Sequence, residues 1–134
     1  MMGDESCEMM VNRFNTAMGS PVGVKMTVDE LMLRLDLIRE EFAEFSQEVH
    51  SAAWRLSHSK SPDNMENLLK ELADLQYVLS GFAVVFGLPL RPAFNRVHLS
   101  NMSKLGDDGK PVMRDDGKVM KGPNYKKPDL RDLV

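Results

Sequence analysis

The sequence predicts an all-α protein of the four-helix-bundle type, closed by a short irregular or hairpin-like C-terminal tail. Three observations carry that expectation. Apolar residues recur in alternating steps of three and four, capping residues stand at the ends of those stretches, and after Gly106 the texture turns rich in glycine and charge. At 134 residues a single domain is expected, with a helical core over about 5–105 and a tail or lid over about 106–134.

The first helix is expected from about Glu5 to Met18, with Met10, Phe14 and Ala17 on one face and a break at Gly19-Ser20-Pro21. The second opens at Thr27-Val28-Asp29-Glu30, a capping-box pattern in which the Thr27 hydroxyl and the Glu30 carboxylate satisfy amides that a helix start leaves without partners. Its seam reads Val28, Leu31, Leu35, Ile38, Phe42, Phe45 and Val49, and it is expected to continue through Trp54 to about His58. The third begins with Ser61 as N-cap and Pro62 in the first helical position, carries Leu68, Leu72, Leu75, Leu79, Phe82 and Phe86, and stops at Gly87 and Pro89. A fourth is expected from about Pro92 to Lys104.

In the tail, two copies of Asp-Asp-Gly-Lys are each followed by Val-Met, and Asp-Gly is a strong turn signal, so a small hairpin or ordered loop is expected before an extended end after Pro123. These acids lack the twelve-residue ligand pattern and closing glutamate of a calcium loop.

The totals narrow the function classes. A formal charge of -3 with 28% charged residues excludes a general nucleic-acid binder. No segment reaches the roughly 20 apolar residues that span a bilayer, so neither export nor anchoring is expected. Cys7 is the single cysteine, which fits a reducing compartment, and the cytoplasm is the expected location. His50, His58 and His98 are too scattered for a transition-metal site. The eleven methionines fit adaptable packing better than metal binding.

The unusual feature is the carboxylates. In REEFAEF, Glu40, Glu41 and Glu44 crowd into little more than one turn; Glu41 and Glu44, three apart, share a face at the border of the seam. On the third helix Glu71 and Asp74 repeat that spacing, and Asp74 is the only charged residue between Leu72 and Leu90. A carboxylate in such a setting costs several kcal/mol unless it is paired or coordinated. A salt bridge to Lys70 is the plain structural alternative. Two carboxylate pairs on adjacent helices would face each other across a cleft, and converging oxygen donors without His or Cys suit magnesium, with manganese as a substitute. Phosphoanhydride hydrolysis is the natural chemistry for such a centre.

These residues also carry a resemblance. Glu40-Glu41-x-x-Glu44 followed by Glu71-x-x-Asp74 resembles the EExxE and ExxD signature of the all-α nucleoside triphosphate pyrophosphatases, the MazG-like superfamily. The stretch from Asn95 to Leu105, with DGKPVMRDDGKVMKGPNYKKPDL after it, is similar to the phosphoribosyl-ATP pyrophosphohydrolase-like branch, some of whose members act on dUTP. The likeness spans about Phe14 to Leu130.

The resemblance implies hydrolysis between the α and β phosphates, giving a nucleoside monophosphate and pyrophosphate, with magnesium held by Glu41, Glu44, Glu71 and Asp74. It implies Glu40 as the carboxylate that positions or deprotonates the attacking water, so that the catalytic residues would be Glu40 and Glu41. Asn101 and Lys104 would face the phosphates. The tail, with Lys121 and Tyr125 among its basic and aromatic residues, would fold over them. Phe14 and Tyr77 would contact base or sugar, and Asn15 stands where some relatives carry a histidine. House-cleaning of deoxynucleotides such as dUTP is the leading expectation, with a phosphoribosyl-ATP pyrophosphohydrolase or a non-catalytic helical scaffold as alternatives. Wide apolar faces on two long helices, with Trp54 as a subunit contact, lead to the expectation of a homodimer or a dimer of dimers.

Overall fold

The computed structural model describes residues 5–58 and 65–134, and the chain divides into two compact units, Met1–Leu88 and Pro89–Val134. The described residues form an all-α fold with a minimal hairpin: α1 (Cys7–Met18), α2 (Val28–His58), α3 (Glu66–Phe86), α4 (Leu90–Met102), β1 (Val112–Met113), β2 (Val119–Met120) and a terminal 3-10 turn, Arg131–Leu133.

In the first unit, α3 is the central element and packs against both α2 and α1. The Ser6 hydroxyl caps α1 by accepting from the Met9 amide, and Gly19 ends it in the left-handed conformation, φ 69°. The Thr27 hydroxyl accepts from the Glu30 amide at 3.2 Å, as the capping box requires. The reciprocal half of the box is absent, because the Glu30 carboxylate instead takes Arg34 Nε at 3.2 Å. Ser61 and Pro62 lie outside the described residues. Gly87, φ 63°, ends α3 as the stop signal predicts. The connection into α2 is held along the end of α3, where the Gly23 and Val24 amides donate to the Val84 and Val85 carbonyls.

The expected faces need correction. On α1 the buried residues are Val11 and Asn15, whereas Phe14 and Ala17 are exposed. On α2 the inward line runs Leu31, Ile38, Phe45 and Ala52 with Arg34, Glu41 and Glu48 beside it, and Val28, Phe42 and Val49 point out. On α3 the inward lines are Leu68-Leu75-Phe82 and Glu71-Val78-Val85, leaving Leu72 and Leu79 exposed. Both helices are therefore turned about their axes relative to the expected seam. One residue step is about 100°. A turn of only part of that step keeps Leu31, Ile38 and Phe45 of the expected α2 seam and Leu68, Leu75, Phe82 and Phe86 of the α3 seam inward, and brings the residues that flank one side of each apolar stripe into the layer between the helices.

In the second unit α4 starts at Leu90, two residues before the expected Pro92. The tail folds back on α4. Arg96 donates to the Asp129 carbonyl at 2.9 Å and forms a bidentate pair with Asp132, while Ser100 Oγ donates to the Lys126 carbonyl at 2.7 Å. Val112 pairs with Met120 and Met113 with Val119 in an antiparallel hairpin. The aspartates of the two Asp-Gly turns accept from backbone amides, Asp108 from Lys110 and Asp116 from Lys118, which is turn chemistry. At the neck of the hairpin the Gly122 amide donates to the Lys104 carbonyl at 2.9 Å, and a Cβ on Gly122 would lie 2.6 Å from that oxygen, so only glycine fits.

Candidate active site

The rotation of α2 and α3 builds the site. Glu41 and Glu44 from α2 and Glu71 from α3 each offer an oxygen within 4.8 Å of the others. Glu41 and Glu71 are half-buried and Glu44 is exposed, so the trio lies at the edge of the helix layer with one side open. Glu41 Oε2 and Glu71 Oε2 are buried, and neither has a hydrogen-bond partner among the described residues.

Electrostatics follow from this crowding. The Glu41 carboxyl is pushed above the usual glutamate range, first by burial, then by the charges of Glu44 and Asp74, a hydrogen bond with Glu44 and the charge of Glu71. Asp74, with 37% of its side chain exposed, is held by Lys70 Nζ at 2.8 Å, and the same ammonium lies 3.6 Å from Glu71 Oε1. Lys70 is thus a cation shared by the two α3 carboxylates. Its own pKa is raised, chiefly by the hydrogen bond and charge of Asp74.

Glu40, one step around the helix, is exposed and stands outside the trio. Phe14 and Tyr77 meet edge-to-face with centroids 5.6 Å apart, at a cavity between α1, α2 and α3. Asn101 and Lys104 lie at the end of α4 in the second unit, Asn101 exposed and Lys104 half-buried. In the same unit Lys121 Nζ sits 4.7 Å from the centroid of the Tyr125 ring, a cation–π contact.

Sequence reasoning missed a polar tie in the apolar half of α3. Ser80, fully buried, donates to Glu8 Oε2 at 2.6 Å and accepts from Gln76 Nε2 at 2.9 Å, pinning α1 to α3. A lone serine within LQYVLSGFAVVF was the available signal.

Three carboxylates on two adjacent helices, two of them with orphaned buried oxygens and no imidazole or thiolate nearby, form a donor set suited to a hard divalent cation. Comparison with known proteins bears on what such a centre serves. The model of the phosphoribosyl-ATP pyrophosphohydrolase family matches residues 11–101, about two-thirds of the chain. The chain belongs to the phosphoribosyl-ATP pyrophosphohydrolase family. It is accordingly a nucleotide pyrophosphohydrolase of the MazG-like all-α type, and the stretch matched to the phosphoribosyl-ATP pyrophosphohydrolase model contains all five carboxylates and ends before Lys104, Lys121 and Tyr125. Among solved structures, the chain is similar to a protein from Exiguobacterium sp. 255-15 provisionally described as an NTP pyrophosphohydrolase, with 23% identity, a TM-score of 0.47, and coverage of 95% of this chain and 91% of that one. No curated protein matches. No single helix among the described residues is long and apolar enough to cross a membrane.

Proposed function

We propose that this family member hydrolyses the α–β phosphoanhydride of nucleoside triphosphates, releasing a nucleoside monophosphate and pyrophosphate, with deoxynucleotides such as dUTP as substrates in house-cleaning of the pool. The observation that carries the reading is the pair of buried carboxylate oxygens, on Glu41 and Glu71, that lack a hydrogen-bond partner among the described residues and lie within a trio of like charges. Leaving such oxygens unmatched is expensive, and a magnesium ion, or manganese in its place, supplies what they lack.

Glu41, Glu44 and Glu71 would hold the ion, with Asp74 joining them after release from Lys70. Such an ion, when bound, neutralises phosphate charge and lowers the pKa of bound water. Glu40, close by in sequence and without a place in the trio, orients the attacking water and takes its proton. The new bond joins water oxygen to phosphorus as the α–β bridge breaks, and pyrophosphate leaves with the bridging oxygen. Glu41 and Glu44 also fix the direction of approach, because their charge repels phosphate oxygens wherever no cation intervenes. Asn101, Lys104, Lys121 and Tyr125 contact the phosphates in this reading, and Phe14 and Tyr77 the base or sugar.

The test is a hydrolysis assay over common and modified nucleoside triphosphates, with products identified, run with magnesium and with chelator. Absence of pyrophosphate from every nucleotide with magnesium present would sink the proposal. A second reading, phosphoribosyl-ATP as substrate, is favoured by the description of the matching family model, and that compound belongs in the same panel. We further infer a cytoplasmic homo-oligomer, dimer or dimer of dimers, since Val28, Phe42, Val49, Leu72 and Leu79 form exposed apolar lines on α2 and α3. Light scattering at micromolar concentration decides this: a monomer counts against it.

A further inference from the structure

The cavity between α1, α2 and α3 has chemistry of its own. It measures about 180 Å3, against about 300–1,000 Å3 for sites that take whole drug-sized ligands, so it has room for one heterocycle and not for a nucleotide. Its mouth carries Phe14 and Tyr77, and Val11 and Val85, both buried, line its inner end. Leu37 on its wall is one turn before Glu41, and Tyr77 is three residues after Asp74. Four residues rise about 6 Å and three about 4.5 Å along a helix axis. A ring seated there would therefore lie beside the carboxylates at roughly the span of one sugar.

Besides Ser20 and Tyr77, two polar side chains line this largely apolar space, Asn15 and Arg34. Asn15 is 8% exposed, and its Nδ2 donates to the Pro21 carbonyl at 3.1 Å. A carbonyl can only accept, so this bond fixes which way the amide is turned and leaves Oδ1, an acceptor, as its uncommitted atom. Arg34 gives Nε to Glu30, and no described residue takes its terminal nitrogens, which remain donors. An acceptor and a set of donors in a small aromatic-edged cavity are the complement of a ring that carries an N–H beside a carbonyl.

We propose that this cavity seats a nucleobase through its lactam edge, the ring N–H and adjacent carbonyl of a uracil-type base, and that Asn15 is the specificity-determining residue. The N–H meets Asn15 Oδ1 and the carbonyl meets Arg34. Cytosine has no proton on that ring nitrogen, so its lone pair would oppose Oδ1 and leave two acceptors unmatched. This deepens the proposed function and rests on it, in that the base seat serves the same carboxylate centre.

The experiment uses the full chain and has two arms. In chelator, binding of dUMP and dCMP is followed by NMR on the ring protons of Phe14 and Tyr77; with magnesium, hydrolysis of dUTP and dCTP is compared. The wild type is expected to favour the uracil nucleotide about tenfold or more in both arms, since an unmatched buried acceptor costs about 1–3 kcal/mol. Asn15→Leu is expected to erase the preference. Gly81→Val is an independent variant: Gly81 lines the cavity, and a Cβ there would meet only Val11 Cγ1, at 3.9 Å, so the larger side chain narrows the seat without a backbone clash. It is expected to weaken both monophosphates about equally. Equal binding of dUMP and dCMP by the wild type, an unchanged preference in folded Asn15→Leu, or unaltered dUMP affinity in Gly81→Val would each overturn the proposal. Should Asn15→Leu fail to fold, the wild-type preference and Gly81→Val decide. Preferential dUMP binding without hydrolysis of any nucleotide would sink the hydrolytic reading and leave the base seat standing; hydrolysis with no base preference would do the reverse.

Discussion

The carboxylates of the C-terminal unit and those of the α2–α3 layer are the same chemical groups treated in opposite ways. In the C-terminal unit three of the six aspartates are met by a guanidinium, Asp116 by Arg114, Asp129 by Arg131 and Asp132 by Arg96, while Asp107 takes the Asn124 amide and Asp108 a backbone amide. Those pairs hold the carboxyls below their usual range, Asp129 to about 2, with the hydrogen bond from arginine as the first cause in every case. Around Glu41, Glu44, Glu71 and Asp74 the charges gather with Lys70 as the one paired cation among the described residues, and Glu41 moves the other way. Self-neutralised acids shape a chain, whereas acids left in excess beside a helix layer await a charge from outside.

The contrast can be broken most forcefully at the trio. Glu44→Gln or Asp74→Asn is expected to lower kcat/KM about a hundredfold or more, because even partners behind a metal ligand cost about 10–100-fold. Circular dichroism should show the helices intact, and the melting temperature should hold or rise as repulsion is relieved. Near wild-type turnover in either variant would remove that residue from the ligand set.

Next in size is the response to the ion itself. Magnesium at a hundred times its dissociation constant should stabilise the folded chain by about 2.7 kcal/mol, read as a rise in melting temperature that chelator reverses. Glu71→Gln should blunt that rise, while Asp116→Asn in the tail should leave it intact. An equal loss in both variants would erase the distinction between the two regions.

The pH dependence should have opposite signs. Glu41 has a folded pKa above its unfolded value of about 4.3, so its contribution favours folding below that value and fades as pH rises through the shifted one. Asp129 has a folded pKa of about 2 against an unfolded value near 3.9; its contribution is present above 3.9 and is lost as pH falls toward 2. Carboxyl-carbon NMR titration without divalent ions should show Glu41 titrating late and Asp129 early. Identical midpoints would contradict the assigned causes.

The smallest effect is expected at the exposed ion pairs. Arg131→Ala should barely change global stability, because exposed pairs are screened by solvent. Arg96→Ala removes contacts to both Asp129 and Asp132, so the last residues should become the first site of proteolytic cleavage.

Helix ends and turns were legible because each is written in one or two residues: Thr27 before α2, Gly87 after α3, the Asp-Gly pairs around the hairpin. Which edge of a wide apolar face points inward was not: Leu31, Ile38 and Phe45 lie inside as the seam predicts, and Val28, Phe42 and Val49 do not. On α2, positions 28, 35, 42 and 49 and positions 31, 38, 45 and 52 are two apolar lines seven residues apart, and spacing alone cannot rank them. The structure puts the second line inside and leaves Phe42 57% exposed while Glu41 turns toward α3. Hydrophobicity without a partner in view ranked a phenylalanine above a glutamate. The four carboxylates were visible as a pattern, but the engagement of Asp74 by Lys70 depends on a single rotamer choice that an i, i+4 spacing permits and does not compel.

The pinch at Gly122 has a consequence for how the molecule can change. Because residues 105–121 leave and rejoin the chain at one point, fastened by the Gly122 amide on the Lys104 carbonyl, they form a loop whose base is fixed whatever its length. Additions at its far bend, near Asp115 to Gly117, would extend its reach while the anchoring turn stays untouched. A single absent methyl group thereby sets the boundary between a segment free to vary and a helix that is not.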